Sequence, residues 1–283
     1  MTLPMPEKFW DIRIHKVDIH PGVTGLCVGY ERGVWRKDQF VRHAMDWLPE
    51  FALKESELKG VDSANMVQMV RDAATAIYKS EKFHKRGEFG ELFLHMAKRQ
   101  VFNSIPAVSK IYYKTARNDT VKGFDSVHVV EAEDGLELWL GEVKFYKDLN
   151  SAVADVVKEL QGHTQTDYLR DEFNLIMNKV DRDWEHYETM KRLMSKNTSL
   201  DEVFKRACIP VLLTYESEAI CQCSVCDEEY KKLFINEIRE AYKLFSSKKL
   251  PTDIRIHLFL FPLASKPELI KALDKKLKLW QQL

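Results

Sequence analysis

The chain has 283 residues, 45% hydrophobic and 30% charged, enough to bury a sizeable core as one large domain or two small ones. Its 43 Lys and Arg match its 43 Asp and Glu, which argues against a protein that coats nucleic acid and leaves room for a local basic groove only. No apolar run approaches the roughly 20 residues needed to span a bilayer. The first ten residues lack an apolar signal region, and five cysteines do not form a disulfide framework, so the expected compartment is the cytoplasm, with no membrane partner.

In chain order, strands are expected near Asp11–Ile19 and Val23–Tyr30, then a helix after Arg36. Asp62 or Ser63 can cap a helix whose apolar stripe is Met66, Met69, Val70, Ala73, Ala74 and Ile77. A helix over Gly87–Phe102 would bury Phe89, Leu92, Phe93, Met96 and Ala97. Pro106 then forces an extended chain, and Ala107–Thr115 reads as a strand. Phe124–Val130 and Leu136–Tyr146 are rich in β-branched and aromatic residues and are joined by Glu133-Asp134-Gly135. Asp-Gly between two such runs is a hairpin signal, because Gly tolerates positive φ.

Asn150 or Ser151 can cap a helix carrying Val153, Val156, Val157 and Leu160, with Gly162 as its stop. Helical stretches at Tyr168–Val180 and Trp184–Met194 precede a buried strand at Ile209–Tyr215. A helix with Phe234, Ile238, Tyr242 and Phe245 leads to a strand at Ile254–Phe261. The last helix opens on a capping-box pattern, Ser265 to Glu268, and carries Leu269, Leu273, Leu277 and Trp280.

The hairpin holds the chemistry. A two-residue loop at Glu133-Asp134 puts Asp125 opposite Glu142, and a loop at Asp134-Gly135 puts it opposite Lys144. Strand side chains repeat every two residues, so in either register Asp125 shares a face with both. Glu142 and Lys144 interrupt a strongly apolar run, where charge is costly unless paired or metal-bound. Two oxygen donors suit Mg²⁺ or Mn²⁺, which can lower the pKa of a bound water and neutralise charge on a phosphodiester. Lys144 can hold the attacking water or stabilise the developing charge. A cross-strand salt bridge is the competing reading of the same spacing.

From Gly87 to Tyr215 the order is helix, three strands, helix, strand. With Gly123-Phe124-Asp125 and Gly141-Glu142-Val143-Lys144, this resembles the PD-(D/E)xK nuclease superfamily. Tyr112-Tyr113-Lys114, Asn118-Asp119, Lys122 to Asp125, Gly141 to Phe145 and Val211 to Glu216 together resemble the HamA family of Hachiman anti-phage systems. The resemblance is carried by residues 86–216. It implies an α/β fold with a restriction-endonuclease-like core, a mixed sheet flanked by helices, and N- and C-terminal α/β additions. Residues 1–80 would be an N-terminal extension packed on the core. Residues 81–283 would be the nuclease-like domain, with its core at 86–216 and a helix-strand-helix at 227–283.

The resemblance further implies a metal-dependent DNA endonuclease in phage defence, working beside a helicase subunit, HamB. The superfamily's metal-binding carboxylates correspond to Asp125 and Glu142 and its lysine to Lys144. A core-helix glutamate often joins them, here Glu91, with Glu88 as a rival and a solvated helix charge as the plainer reading. The Gln-x-x-x-Tyr of related exonucleases is not matched by Gln161 and Tyr168, so an exonuclease subtype is not supported. A non-catalytic interaction subunit that binds a helicase or nucleic acid is the alternative function.

Three other groups are candidates. Lys82, Lys85, Arg86, Lys110, Lys114 and Arg117, interleaved with Tyr112 and Tyr113, can track DNA phosphates, with Lys110, Lys114 and Arg117 the expected contacts and a solvated charge cluster an equal reading of half of them. Cys221-x-Cys223-x-x-Cys226 can hold zinc if Cys208 supplies a fourth ligand, with free cytosolic thiols as the plainer reading. The nine histidines show no metal-protease spacing, and His128 falls out of phase with Asp125, which points to core or partner packing rather than catalysis.

Overall fold

In the computed structural model the described residues are 5–77, 87–109, 123–133, 135–251 and 253–283. The strands are β1 (Asp11–Lys16), β2 (Gly22–Cys27), β3 (Tyr30–Glu31), β4 (Val34–Trp35), β5 (Ile105–Ser109), β6 (Ser126–Ala132), β7 (Gly135–Phe145), β8 (Ala207–Glu216) and β9 (Arg255–Leu263). The helices are α1 (Lys37–Asp46), α2 (Leu48–Ala52), α3 (Glu55–Lys59), α4 (Met66–Ile77), α5 (Glu88–Phe102) and α6 (Leu149–His163). They continue with α7 (Thr166–Met177), α8 (Tyr187–Leu193), α9 (Leu200–Lys205), α10 (Glu218–Gln222), α11 (Glu228–Ser246) and α12 (Lys266–Trp280).

Seven strands form one mixed sheet in the order β1-β2-β9-β8-β7-β6-β5, and β3 and β4 make a separate ribbon. The centre, β2-β9-β8-β7, is parallel, and β1, β6 and β5 add antiparallel pairs at its two sides. Parallel strands covered on both faces need continuous apolar runs rather than alternation. Val211–Leu213 in β8 and Leu258–Phe261 in β9 supply them, and all of these residues are buried. Pro106 sits in β5, the last strand of the order, where a missing N–H costs no ladder bond on the open side.

One face of the sheet is covered by α5. A Cβ on Gly90 would lie 2.7 Å from Val143 Cγ1 and 2.8 Å from Phe145 Cβ, so only glycine lets this helix approach β7 so closely. Phe93 meets Phe145, Phe261 and Phe40 at ring-centroid distances of 5.6, 5.5 and 5.1 Å. Such tilted and edge-to-face contacts add about 0.5–1.5 kcal/mol each beyond area burial. The opposite face is covered by α6, through Ala152, Val153, Val156 and Leu160, and by α11, through Phe234 and Ile238.

Several boundaries differ from expectation for local reasons. The side chain of Asp148, not Asn150 or Ser151, caps α6 by accepting the Ser151 amide at 2.8 Å. Gly162 does not stop α6, which runs one residue further to His163. The N-terminal strands are shorter, ending at Lys16 and Cys27. The helix in Trp184–Met194 covers only Tyr187–Leu193.

Two buried histidines make the fold acid-sensitive. His43 Nε2 accepts from Trp47 Nε1 at 3.1 Å and pairs with the Gln100 amide at 2.7 Å, and burial pushes its pKa down to about 4. His257 pairs with Thr24 at 2.8 Å, and burial, helped by His15 and Arg255, pushes it down to about 3. A histidine depressed in the folded state protonates first in the unfolded chain, so stability held above pH 6.5 is lost as pH falls toward the folded values. Each should remove about 2 kcal/mol between pH 7.5 and 5. Urea midpoints at the two pH values check this, and His43→Gln should flatten the profile.

Candidate active site

The hairpin adopts the first of its two registers. Ala132 pairs with Gly135 and Ser126 with Gly141, where the ladder ends, and Asp125 lies just before β6. Asp125 N–H still donates to Gly141 O at 2.8 Å, but the amide of Val143 donates to the Asp125 carboxylate, Oδ2, also at 2.8 Å. A side-chain oxygen stands where a backbone carbonyl would, which fixes the carboxylate at the end of β6 beside the strand that carries Glu142. Asp125, Glu142 and Lys144 are all buried, Glu142 to 1% exposure.

Glu142 and Lys144 point to the face opposite Val143 and Phe145, and α6 meets them there. Lys144 Nζ pairs with Glu159 Oε2 at 2.5 Å, His163 Nδ1 pairs with Glu142 Oε1, and Tyr146 OH donates to Asp155 Oδ2 at 2.7 Å. Strand positions 142, 144 and 146 therefore match helix positions 163, 159 and 155. The match is geometric: two strand residues advance about 6.6 Å and four helical residues about 6 Å, so the two series stay in step. His163 also stacks on Tyr168, with centroids 4.5 Å apart, and meets Phe124 edge-on. Sequence reasoning missed Glu159 and His163. The i,i+4 spacing of charged groups on α6 was the available signal, and placing the helix stop at Gly162 hid it.

The α5 side carries buried charge of its own. Glu91 is buried in the first turn, not a solvated helix charge, and Glu88 is buried with it. Lys98 is fully buried and donates to Ser126 Oγ at 2.7 Å. Burial holds its ammonium well below the ordinary lysine range, opposed by the negative charge of Asp125. His128 packs in the core on Ser104 Oγ at 2.8 Å, as its phase predicts, and burial and the neighbouring cations keep it neutral. Glu50 binds His95 at 2.9 Å and Arg99 at 3.0 Å. Burial would raise its pKa, but these partners outweigh that and hold it low. A pocket of about 70 Å³ borders this ion cluster and is lined by Glu50, His95, Arg99 and Trp184, not by Glu142 or Lys144.

Among the described residues no group of three or more His, Cys, Asp or Glu is arranged to hold a metal ion. Asp125, Glu142 and Glu91 therefore do not make a three-carboxylate metal cage. A pair fits Mg²⁺ by donor chemistry, because that ion takes one or two carboxylates and keeps several waters. Cys208 is buried in β8 and does not join Cys221, Cys223 and Cys226. It is Gly29, at the end of β2, that approaches Cys226, where a Cβ would lie 3.4 Å from the sulfur. Lys82, Lys85, Arg86, Lys110, Tyr112, Tyr113, Lys114 and Arg117 lie outside the described residues. No helix among the described residues is long and apolar enough to cross a membrane.

Fold and site together define an α/β protein with a seven-strand mixed sheet, flanked by helices, that buries an acidic pair and a lysine at one hairpin. The chain belongs to the HamA family: the family model described as HamA matches residues 4–277, nearly its whole length. Membership points to a component of a Hachiman defence system. A search of curated proteins finds no match.

Proposed function

We propose that this protein is a metal-dependent DNA endonuclease, the effector of a Hachiman anti-phage system, with a restriction-endonuclease-like core and a helicase partner, HamB. The observation that carries the reading is the buried Asp125 carboxylate held by the amide of Val143, the residue between buried Glu142 and Lys144. Burying two carboxylates and an ammonium at one strand end costs free energy that a purely structural hairpin has no need to spend.

Asp125 and Glu142 would hold Mg²⁺ or Mn²⁺, with Glu91 on α5 outside that set. The ion supplies Lewis acidity toward a phosphodiester and lowers the pKa of a bound water. Lys144 orients the nucleophile and offsets charge developing on the phosphate. The Val143 amide fixes the Asp125 carboxylate through Oδ2. The basic stretch around Lys110, Lys114 and Arg117 would track the DNA backbone.

The test is digestion of supercoiled, linear and single-stranded DNA with Mg²⁺ or Mn²⁺, alone and with the helicase subunit. Asp125→Ala should lower the rate by about 10²-fold or more. Wild-type protein inert on every substrate, with and without its partner, would remove the proposal.

A second reading is a non-catalytic subunit that keeps the fold and regulates a helicase or nucleic acid. It is favoured by one observation: Glu142 and Lys144 each already have a partner on α6, as structural ions do. Under it, Glu142→Ala with Lys144→Ala would lower stability yet preserve phage protection at matched protein levels.

A further inference from the structure

We propose that Glu159 gates the site by screening Lys144 from DNA, so that an incoming phosphodiester must displace the Glu159 carboxylate to reach the ammonium. The inference rests on the nuclease reading above and adds to it a residue that sets the threshold for substrate engagement.

Lys144 has little room to turn elsewhere. Its side chain is 11% exposed and its ammonium lies 2.5 Å from Glu159 Oε2. Glu159 is different, with 40% of its side chain exposed, so it is the partner of the pair that solvent reaches. A DNA phosphate approaching Lys144 from solvent therefore meets the glutamate first. Two effects follow from that order. The carboxylate competes with the phosphate for the same cation, and its own charge repels the phosphate. Ion pairs with one exposed partner are weak, so the screen is displaceable rather than permanent.

The contacts on either side keep the gate in register. Tyr146 with Asp155 and Glu142 with His163 tie α6 to β7 one step before and one step after Lys144. Helix and strand cannot slide without breaking both, so Glu159 stays above Lys144 until something competes for it. The apolar side of α6, with Val153, Val156 and Leu160 buried, anchors the helix independently of these polar contacts. A change at residue 159 should therefore leave the helix in place.

The experiment uses the full chain as wild type, Glu159→Gln, Lys144→Met and the double variant, with Glu159→Ala as a second substitution should Gln fold poorly. Lys144 labelling by an amine-reactive acetylating reagent is followed by mass spectrometry. Binding of a short fluorescent duplex is followed by anisotropy with Ca²⁺ in place of Mg²⁺. Glu159→Gln should label Lys144 several times faster and bind duplex about 5-fold tighter. In the Lys144→Met background that gain should shrink to less than about twofold.

Unchanged labelling, with cleavage that still depends on Asp125, overturns the gate and leaves the nuclease reading intact. A gain in affinity that persists in full without Lys144 also overturns it, since the effect is then one of overall charge. Faster labelling with no DNA bound or cut by any form makes Lys144–Glu159 a structural pair only, and the nuclease reading falls with the gate.

Discussion

Glu142→Gln is expected to slow metal-dependent DNA cleavage by about two orders of magnitude or more while leaving the fold intact. The substitution keeps side-chain volume and retains an oxygen at the place where His163 meets Glu142 Oε1. What it removes is the charge that, on the proposed nuclease reading, would hold a divalent cation beside Asp125. Because Glu142 is 1% exposed, losing its charge also removes a desolvation penalty, so the melting temperature should move by no more than a few degrees. Nicking rates on supercoiled plasmid with Mn²⁺, measured alongside a thermal melt, separate the two effects. Cleavage at the wild-type rate by a folded variant would show that Glu142 is no metal ligand.

The second large effect is expected at Gly123→Ala. Gly123 sits two residues before Asp125 with φ of +117°, outside the regions open to residues with a Cβ. An ideal Cβ there would lie 2.3 Å from Glu172 Oε1 and 2.8 Å from Oε2. Glu172 is buried at 5% exposure, so it cannot swing away into solvent to make room. Strain and overlap together should cost about 2–4 kcal/mol, read as a melting temperature lower by roughly 5–10 °C. Asp125 hangs from this turn, so cleavage measured well below the melting temperature should fall as well. A variant as stable as the wild type would mean that the backbone at residue 123 relaxes freely.

These glycines also explain why the motif looks as it does. In Gly123-Phe124-Asp125 the glycine supplies the turn, and Phe124 is buried against His163 and Tyr168. In Gly141-Glu142-Val143-Lys144 a Cβ at residue 141 would lie 2.5 Å from Ser126 Oγ and 2.7 Å from Leu94 Cδ2. The residues that frame the acidic pair are thus fixed by packing on both faces of the sheet. A sequence pattern records that constraint without revealing the neighbours that impose it.

By itself the sequence determined the features with short-range causes. Strand alternation put Glu142 and Lys144 on one face and turn residues between two β-rich runs marked the hairpin, whereas the apolar stripe of α5 did not reveal that the fold buries this helix all round, from Glu88 to Gln100. The sequence left two registers open, because turn chemistry at Glu133-Asp134-Gly135 serves both. Only the assembled sheet chose the one that pairs Ser126 with Gly141. Tertiary structure likewise decided that α6 continues through Gly162: a glycine costs roughly 1 kcal/mol in a helix, and the contacts of His163 with Glu142 and Tyr168 lie just beyond it. The pairing of β2 with β9, and the burial of Lys98 beneath Ser126, join residues far apart in the chain. Local propensity carries no information about such partners, because they meet only when the whole sheet closes around them.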